Sequence, residues 1–147
     1  MNDLMMRMKQ SLETPAHTPG SRATSLLYPE LSYAIVGAAI EVHRCIGPGQ
    51  LESIYQRALE RELTIRAIAF TAQVPIEMEY KGARVGDFVA DFIVEDLVIV
   101  ELKAVERVLA VHQSQVLAYL RATQLRLGLL INFNVTKLTF GVQRIVH

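Results

Sequence analysis

The chain has 147 residues, and 51% of them are hydrophobic, which suits a single domain with its own core and excludes a disordered protein. Fifteen basic and fifteen acidic residues cancel, so the bulk charge by itself does not indicate a polyanionic partner. The only cysteine, Cys45, excludes an intramolecular disulfide framework and agrees with a reducing cytoplasm, where we expect the protein to be located.

The N-terminal residues 1–28 are predicted to be a flexible segment. Pro15, Pro19, Gly20 and several Ser and Thr residues interrupt any periodic pattern there. Residues 29–147 are predicted to form one domain that contains all the regular structure.

Two helices are predicted at the start of this domain. A stripe of apolar residues at helical spacing predicts the first helix from Glu30 to about Cys45, and Gly47-Pro48-Gly49 ends it. Its most apolar run, 33–40, is far shorter than the roughly 20 residues that span a bilayer, so we expect no membrane contact. A second helix is predicted from about Gln50 to Ile65. The residues expected to face inward on it are Leu51, Ile54, Tyr55, Ala58, Leu59 and Leu63.

Three strands, a helix and two further strands are predicted next. Alternating apolar residues predict a strand over 70–80, and Lys81-Gly82 is a turn that leads into the strand carrying Asp91. After a turn at Glu95-Asp96, another strand runs from Leu97 to Lys103. The remaining predicted elements are a helix from His112 to Thr123, a buried strand from Leu125 to Phe133 and an edge strand from Leu138 to Val146. The order α-α-β-β-β-α-β-β predicts an α/β fold on a mixed sheet.

The most informative residues are Asp91, Glu101 and Lys103, because they interrupt two otherwise apolar strands. Charged side chains are rarely buried unless they are paired or bound to a metal. Two carboxylates on neighbouring strands suit a hard divalent cation such as Mg²⁺. Lys103 is two residues after Glu101, so both side chains project from the same face of their strand. The other interpretation is a pair of carboxylates that face solvent or arginine partners.

Four motifs in the chain resemble the GxxExxY protein family. The segment Gly49-Gln50-Leu51-Glu52-Ser53-Ile54-Tyr55 fits the pattern in the name of the family. The other three motifs are the stretch from Val98 to Glu106, the group His112, Gln115 and Tyr119-Leu120, and the stretch from Gly128 to Phe133. The resemblance covers about residues 28–146.

That family is similar to the PD-(D/E)XK nuclease superfamily, and the resemblance therefore implies a fold. The expected fold has a restriction endonuclease-like α-β-β-β-α-β core, with a mixed central sheet flanked by helices. An extra N-terminal helix and a C-terminal edge strand complete it. The chain departs from the superfamily pattern at one position, where Ala90 replaces the proline of the PD pair.

The resemblance also implies a reaction, which is Mg²⁺-dependent hydrolysis of phosphodiester bonds in nucleic acid. DNA is the first candidate substrate and RNA the second, although the sequence itself does not distinguish them, and Mn²⁺ is expected to be able to replace Mg²⁺. It implies Asp91, Glu101 and Glu52 as metal ligands and Lys103 as the catalytic lysine. Gln115 and Tyr119 match a QxxxY signature of exonuclease-like branches and complete the expected catalytic set. Nucleases of this size often act as dimers or in larger complexes, so a homodimer or larger assembly is a further expectation.

Several alternatives remain open at this point. The protein could be a binding module for nucleic acid or protein that retains the fold without cleaving, or a metal-dependent hydrolase of smaller phosphoesters. Glu52, in the first turn of a helix, could simply favour the helix dipole. His43 and His112 are interpreted as structural histidines rather than bases. The segment after Glu106 contains no acid, and its basic residues either contact phosphate or balance acids elsewhere: Arg107, Arg121, Arg126, Lys137 and Arg144.

Overall fold

The structure, a computed structural model, describes residues 26–147. The predicted flexible segment 1–28 therefore lies outside the described residues except for its last three. The helices are α1 (Pro29–Ile46), α2 (Glu52–Ile65) and α3 (Ala110–Thr123), with a 3₁₀ helix at Leu138–Gly141. The strands are β1 (Phe70–Tyr80), β2 (Ala83–Val94), β3 (Val98–Lys103), β4 (Leu127–Asn132) and β5 (Val142–Val146).

The five strands form one sheet in the order β1-β2-β3-β4-β5. Only β3 and β4 are parallel, and α3 makes the crossover between them, whereas the other three pairs are antiparallel. The mixed sheet, the extra helix α1 and the edge strand β5 confirm the predicted α/β, restriction endonuclease-like fold.

Helices cover both faces of the sheet, and the period of two along β3 assigns its residues to them. Val98, Val100 and Leu102 belong to the α1–α2 cluster, which is the hydrophobic core between the sheet and those two helices. Ile99 belongs to the α3 cluster, which joins the sheet to Val116, Tyr119 and Leu120 of α3. Glu101 therefore lies on the face that α3 covers. Within residues 26–147, no helix has the length and apolarity needed to cross a membrane.

The last predicted strand was wrong over residues 138–141, which form the 3₁₀ helix. Leu138 is buried in the α1–α2 cluster, and Gly141 lies so close to the Asn132 carbonyl that a side chain would not fit there. This tertiary packing turns the chain before β5 begins at Val142.

Two of the residues expected to face inward on α2 are exposed instead. Leu51 is 71% exposed because it precedes the helix in extended backbone, and Ile54 is 40% exposed. Tyr55, Leu59 and Leu63 are fully buried and define the inward face of α2.

The packing of α3 on β4 gives a test of the fold. A Cβ atom added at Gly128 would lie 2.5 Å from Cγ1 of Val116. We expect Gly128→Ala to lower the free energy of unfolding by about 1–3 kcal/mol, measured by urea denaturation, because the added methyl group overpacks this contact.

Gly86→Ala is the matched control, because a Cβ at this β2 position meets nothing within 4 Å. We expect it to leave the free energy of unfolding unchanged or slightly raised. Equal losses from the two substitutions would contradict the close approach of α3 to β4.

Candidate active site

The candidate site lies where β2 and β3 separate. Their antiparallel ladder ends at the pair Phe92 and Val100. The next pair in register would be Asp91 with Glu101, but here β2 continues alongside β1 alone while β3 continues alongside β4. We call this point, formed by Asp91, Glu101 and Leu102, the strand fork.

Carboxylates take the place of the missing ladder at the strand fork. The Asp91 backbone N–H donates to Glu101 Oε1 at 2.8 Å, and the Leu102 N–H donates to Asp91 Oδ2 at 2.8 Å. Buried backbone N–H groups almost always require such a partner. Each acid therefore accepts a hydrogen bond from a backbone N–H group of the opposite strand, and these two bonds hold the acids side by side. Neither forms an ion pair with an arginine in the described part of the chain.

Burial makes this arrangement electrostatically unfavourable. Glu101 is only 4% exposed, and its burial, followed by the nearby charge of Asp91, raises its pKa to about 8. Burial also raises the pKa of Asp91, although the Leu102 N–H and the Gln73 amide oppose the change. Glu52 is exposed at the start of α2, and its pKa is raised as well, first by partial loss of solvent around the carboxyl group and then by the charge of Asp91. Three acids thus share one region.

Lys103 is the cation of the same region. Its positive charge acts to lower the pKa of Glu52, Asp91 and Glu101. It is half-buried, and among residues 26–147 its ammonium group forms no direct ion pair. Among the described residues, one ammonium group thus faces three acids, and the region is short of positive charge once Glu101 is ionised.

The segment before α2 positions Glu52. Gly49 has φ +89°, a left-handed conformation that glycine adopts readily. The Tyr55 hydroxyl donates to the Gly47 carbonyl at 2.6 Å and accepts from the Gln50 N–H at 3.1 Å. Its ring stacks on Phe133 with centroids 4.5 Å apart. Tyr55 therefore packs, as predicted, and holds the turn from which Glu52 begins the helix.

Helix α3 brings Tyr119 to the acids from the other face of the sheet. Tyr119 is 3% exposed, and burial together with the charges of Glu101 and Asp91 raises its pKa to about 12. Gln115 lies one turn earlier on α3, half-buried, and makes no hydrogen bond to another described residue. Of the six predicted site residues, five interact electrostatically, and Gln115 lies one turn from Tyr119 on α3.

The two histidines have structural contacts. His43 Nε2 lies 2.8 Å from the Val135 carbonyl oxygen, and His112 Nδ1 accepts from the Leu109 N–H at the start of α3.

The basic residues of the C-terminal region differ in their exposure and contacts. Arg144 donates to Ser32 Oγ and to the Leu27 carbonyl, whereas the other basic residues of the segment are exposed: Arg107, Arg121, Arg126 and Lys137.

Two glutamines at the site were missed by the sequence analysis. Gln56 Nε2 donates to the Asp91 carbonyl at 3.3 Å, and Gln73 Nε2 donates to Asp91 Oδ1 at 3.4 Å. Gln56 could have been found, because it is four residues after Glu52 and so shares its helix face. Gln73 gave no comparable signal within its strand.

The donor set suits a hard divalent cation. Mg²⁺ prefers carboxylate oxygens and retains several waters, so two adjacent acids are sufficient protein ligands. A dication would also supply the positive charge that the region lacks. Among residues 26–147, however, no group of three His, Cys, Asp or Glu side chains is already arranged around one metal position. Metal ligation by Asp91, Glu101 and Glu52 stays a prediction.

Comparison with known proteins identifies one family. A model described as the PD-(D/E)XK nuclease superfamily matches residues 29–145, which include every helix and the first four strands. No curated protein and no solved structure matches the chain.

The raised pKa of Glu101 predicts a pH dependence of stability in the metal-free protein. The folded protein keeps the proton to about pH 8, whereas the unfolded chain loses it near 4.5, so the folded state binds more protons between these values. The free energy of unfolding should therefore fall as pH rises from about 4.5 to about 8. Glu101→Gln should remove this loss, which is on the order of a few kcal/mol, as measured by urea denaturation across pH.

The control is Glu79→Gln, which neutralises an exposed glutamate on β1. It should leave the pH dependence of stability as it is in the wild type. If the free energy of unfolding depended on pH in the same way in the wild type and in Glu101→Gln, the prediction would be wrong, because Glu101 would then bind its proton equally well in the folded and unfolded states.

Proposed function

The chain belongs to the PD-(D/E)XK nuclease superfamily, and from this premise we propose that it is a Mg²⁺-dependent nuclease that hydrolyses phosphodiester bonds of nucleic acid, with DNA as the first candidate substrate and RNA as the second. The observation that carries the proposal is the pair of hydrogen bonds exchanged across the strand fork. These bonds hold the carboxyl groups of the buried Glu101 and the half-buried Asp91 together, and this arrangement is unfavourable when both are ionised unless a cation joins it.

Asp91 and Glu101 are the proposed ligands of the ion, and Glu52 is a further ligand or holds a water beside it. When bound, Mg²⁺ would polarise the scissile phosphate and lower the pKa of a water, and Mn²⁺ would be able to replace it. Asp91 and Glu101 each already use one oxygen for a backbone N–H, which fixes their orientation before the ion arrives. Such preorganisation reduces the reorganisation needed on binding.

Lys103 is proposed to act on the phosphate. Its ammonium group lies on the acid side of β3 and has no direct ion pair among the described residues, so it can donate to a phosphate oxygen or orient the attacking water. Gln115 on α3 is proposed to orient the nucleic-acid strand, whereas Tyr119 is buried beside the acids. The exposed arginines of the C-terminal region are available for backbone contacts.

Within the superfamily we assign the chain to the GxxExxY family. The support is local: Gly49 provides a left-handed turn, Tyr55 holds that turn through its hydroxyl, and Glu52 faces the acids. The three residues of the pattern thus have separate physical tasks. A cytoplasmic location is part of the same proposal, supported by the exposed thiol of Cys45.

A second candidate is a binding module that does not cleave. It is favoured by the absence, within residues 26–147, of three acids already grouped around one metal position. Such a module would bind nucleic acid or protein without Mn²⁺ and would fold normally. Titration with Mn²⁺ in a calorimeter separates the two candidates.

The main experiment compares Asp91→Asn and Lys103→Met with the wild type on labelled single- and double-stranded DNA and RNA. We expect Asp91→Asn to weaken Mn²⁺ binding by at least about 100-fold and to abolish cleavage, since it removes a charged ligand. Lys103→Met should retain Mn²⁺ binding and slow cleavage by about 10²–10³-fold. Bis(p-nitrophenyl) phosphate serves as the probe for smaller phosphoesters.

Asp96→Asn is the matched control, because it makes the same change at an exposed turn of the same hairpin. It should leave both metal binding and cleavage unchanged. The nuclease proposal fails if the wild type leaves all four nucleic acids uncut with Mg²⁺ or Mn²⁺ and Asp91→Asn binds Mn²⁺ as the wild type does.

A further inference from the structure

We propose that Gln73 is a positioning residue for Asp91, and that the unusual backbone of β1 at this point exists to hold its amide on the Asp91 carboxylate. The inference rests on the proposed function, because the benefit of holding Asp91 is a preorganised metal ligand. It adds a residue outside the motifs of the superfamily.

The backbone of Gln73 is the first observation. Its φ is +51°, in the left-handed region that L-residues with side chains rarely occupy. The other described non-glycine residues with positive φ lie in turns, at helix ends or in short connections, as Lys81 and Gln124 do, whereas Gln73 is the fourth residue of an eleven-residue strand. Strained backbone of this kind persists only where the surrounding structure enforces it.

The second observation is a change of face in both strands at the same level. Ala72 and Phe92 are paired and pack in the α1–α2 cluster, whereas the next pair, Val74 and Ala90, packs in the α3 cluster. Residues two apart on a regular strand share a face. In both strands the side chains therefore change from one face of the sheet to the other, and we call this change the turn-over of the strands. It occurs at Gln73 and Asp91, which lie opposite one another between these two pairs.

The third observation is the contact itself. Gln73 Nε2 lies 3.4 Å from Asp91 Oδ1, while Asp91 Oδ2 accepts from the Leu102 N–H. The carboxylate is thus contacted from both sides, by the exposed Gln73 of β1 at one oxygen and by the β3 backbone, through the shorter bond, at the other.

The experiment uses two variants of the full chain. Gln73→Asn retains an amide and a residue type that tolerates left-handed backbone, but it is one methylene shorter. Gln73→Gly removes the amide and the backbone strain together. In the metal-free protein we expect the Leu102 amide to exchange with solvent about tenfold faster in both variants, measured by NMR, because its acceptor is less fixed. We also expect Mn²⁺ to bind about tenfold more weakly.

The matched control is Gln124→Gly. Gln124 also has positive φ, +60°, but it is exposed at the end of α3. This variant should relieve similar strain and leave both the Leu102 exchange rate and the Mn²⁺ affinity unchanged. On a substrate that the wild type cleaves, the Gln73 variants should lower kcat while KM stays within about twofold, because Gln73 contacts Asp91 and not the nucleic acid.

The outcomes separate this inference from the proposed function. Wild-type exchange at Leu102 in both Gln73 variants would overturn the inference, whatever the activity. A fall in Tm of more than about 10 °C in both variants would also overturn it, because Gln73 would then hold the strand rather than the carboxylate. If the wild type neither binds Mn²⁺ nor cleaves, the proposed function fails, and the Leu102 exchange rate alone decides the role of Gln73.

Discussion

The structure of the site depends on one constraint, which is that the backbone groups at the strand fork must find partners after β2 and β3 separate. The N–H groups of Asp91 and Leu102 lose the strand that would have paired with them. Carboxylates from the opposite strands replace it. Bringing two acids together away from solvent is unfavourable, as the raised pKa of Glu101 shows, but leaving buried N–H groups unsatisfied is unfavourable too. At the strand fork, the carboxyl groups satisfy the N–H groups, at the cost of placing two acids next to each other. The two acids therefore stay adjacent in the absence of metal.

The fork also explains how residues from opposite layers meet at one place. A continuous sheet would separate α2 from α3, because the two helices pack on different faces. Where β2 leaves β3, the sheet opens. Gln56 of α2 then reaches the Asp91 carbonyl from one side, and Tyr119 of α3 approaches Glu101 from the other. The rigid hydrophobic clusters on both faces keep this opening in a fixed place.

Much of the fold was predictable from the sequence, because it follows from local patterns. Helical stripes, alternating strands and the glycine-rich breaks gave the order of elements, and the charges interrupting apolar strands identified Asp91, Glu101 and Lys103. The failures have tertiary causes: Leu138 leaves the predicted strand to join the core, and Leu51 lies outside its helix. Gln73 was beyond reach for the same reason, since its left-handed backbone and the turn-over of two strands are not encoded in spacing.

The departures from ordinary protein architecture are concentrated at one level of the sheet. A buried acid and a left-handed residue within a strand each oppose stability, and both occur, together with the reversal of strand faces, at Gln73, Asp91 and Glu101. Immediately beside them, Phe92, Val100 and Leu102 are fully buried in regular packing. A protein selected for stability alone would place apolar residues across the fork as well. The contrast between a well-packed core and a strained, charged fork within it is typical of a site whose geometry is maintained for chemistry.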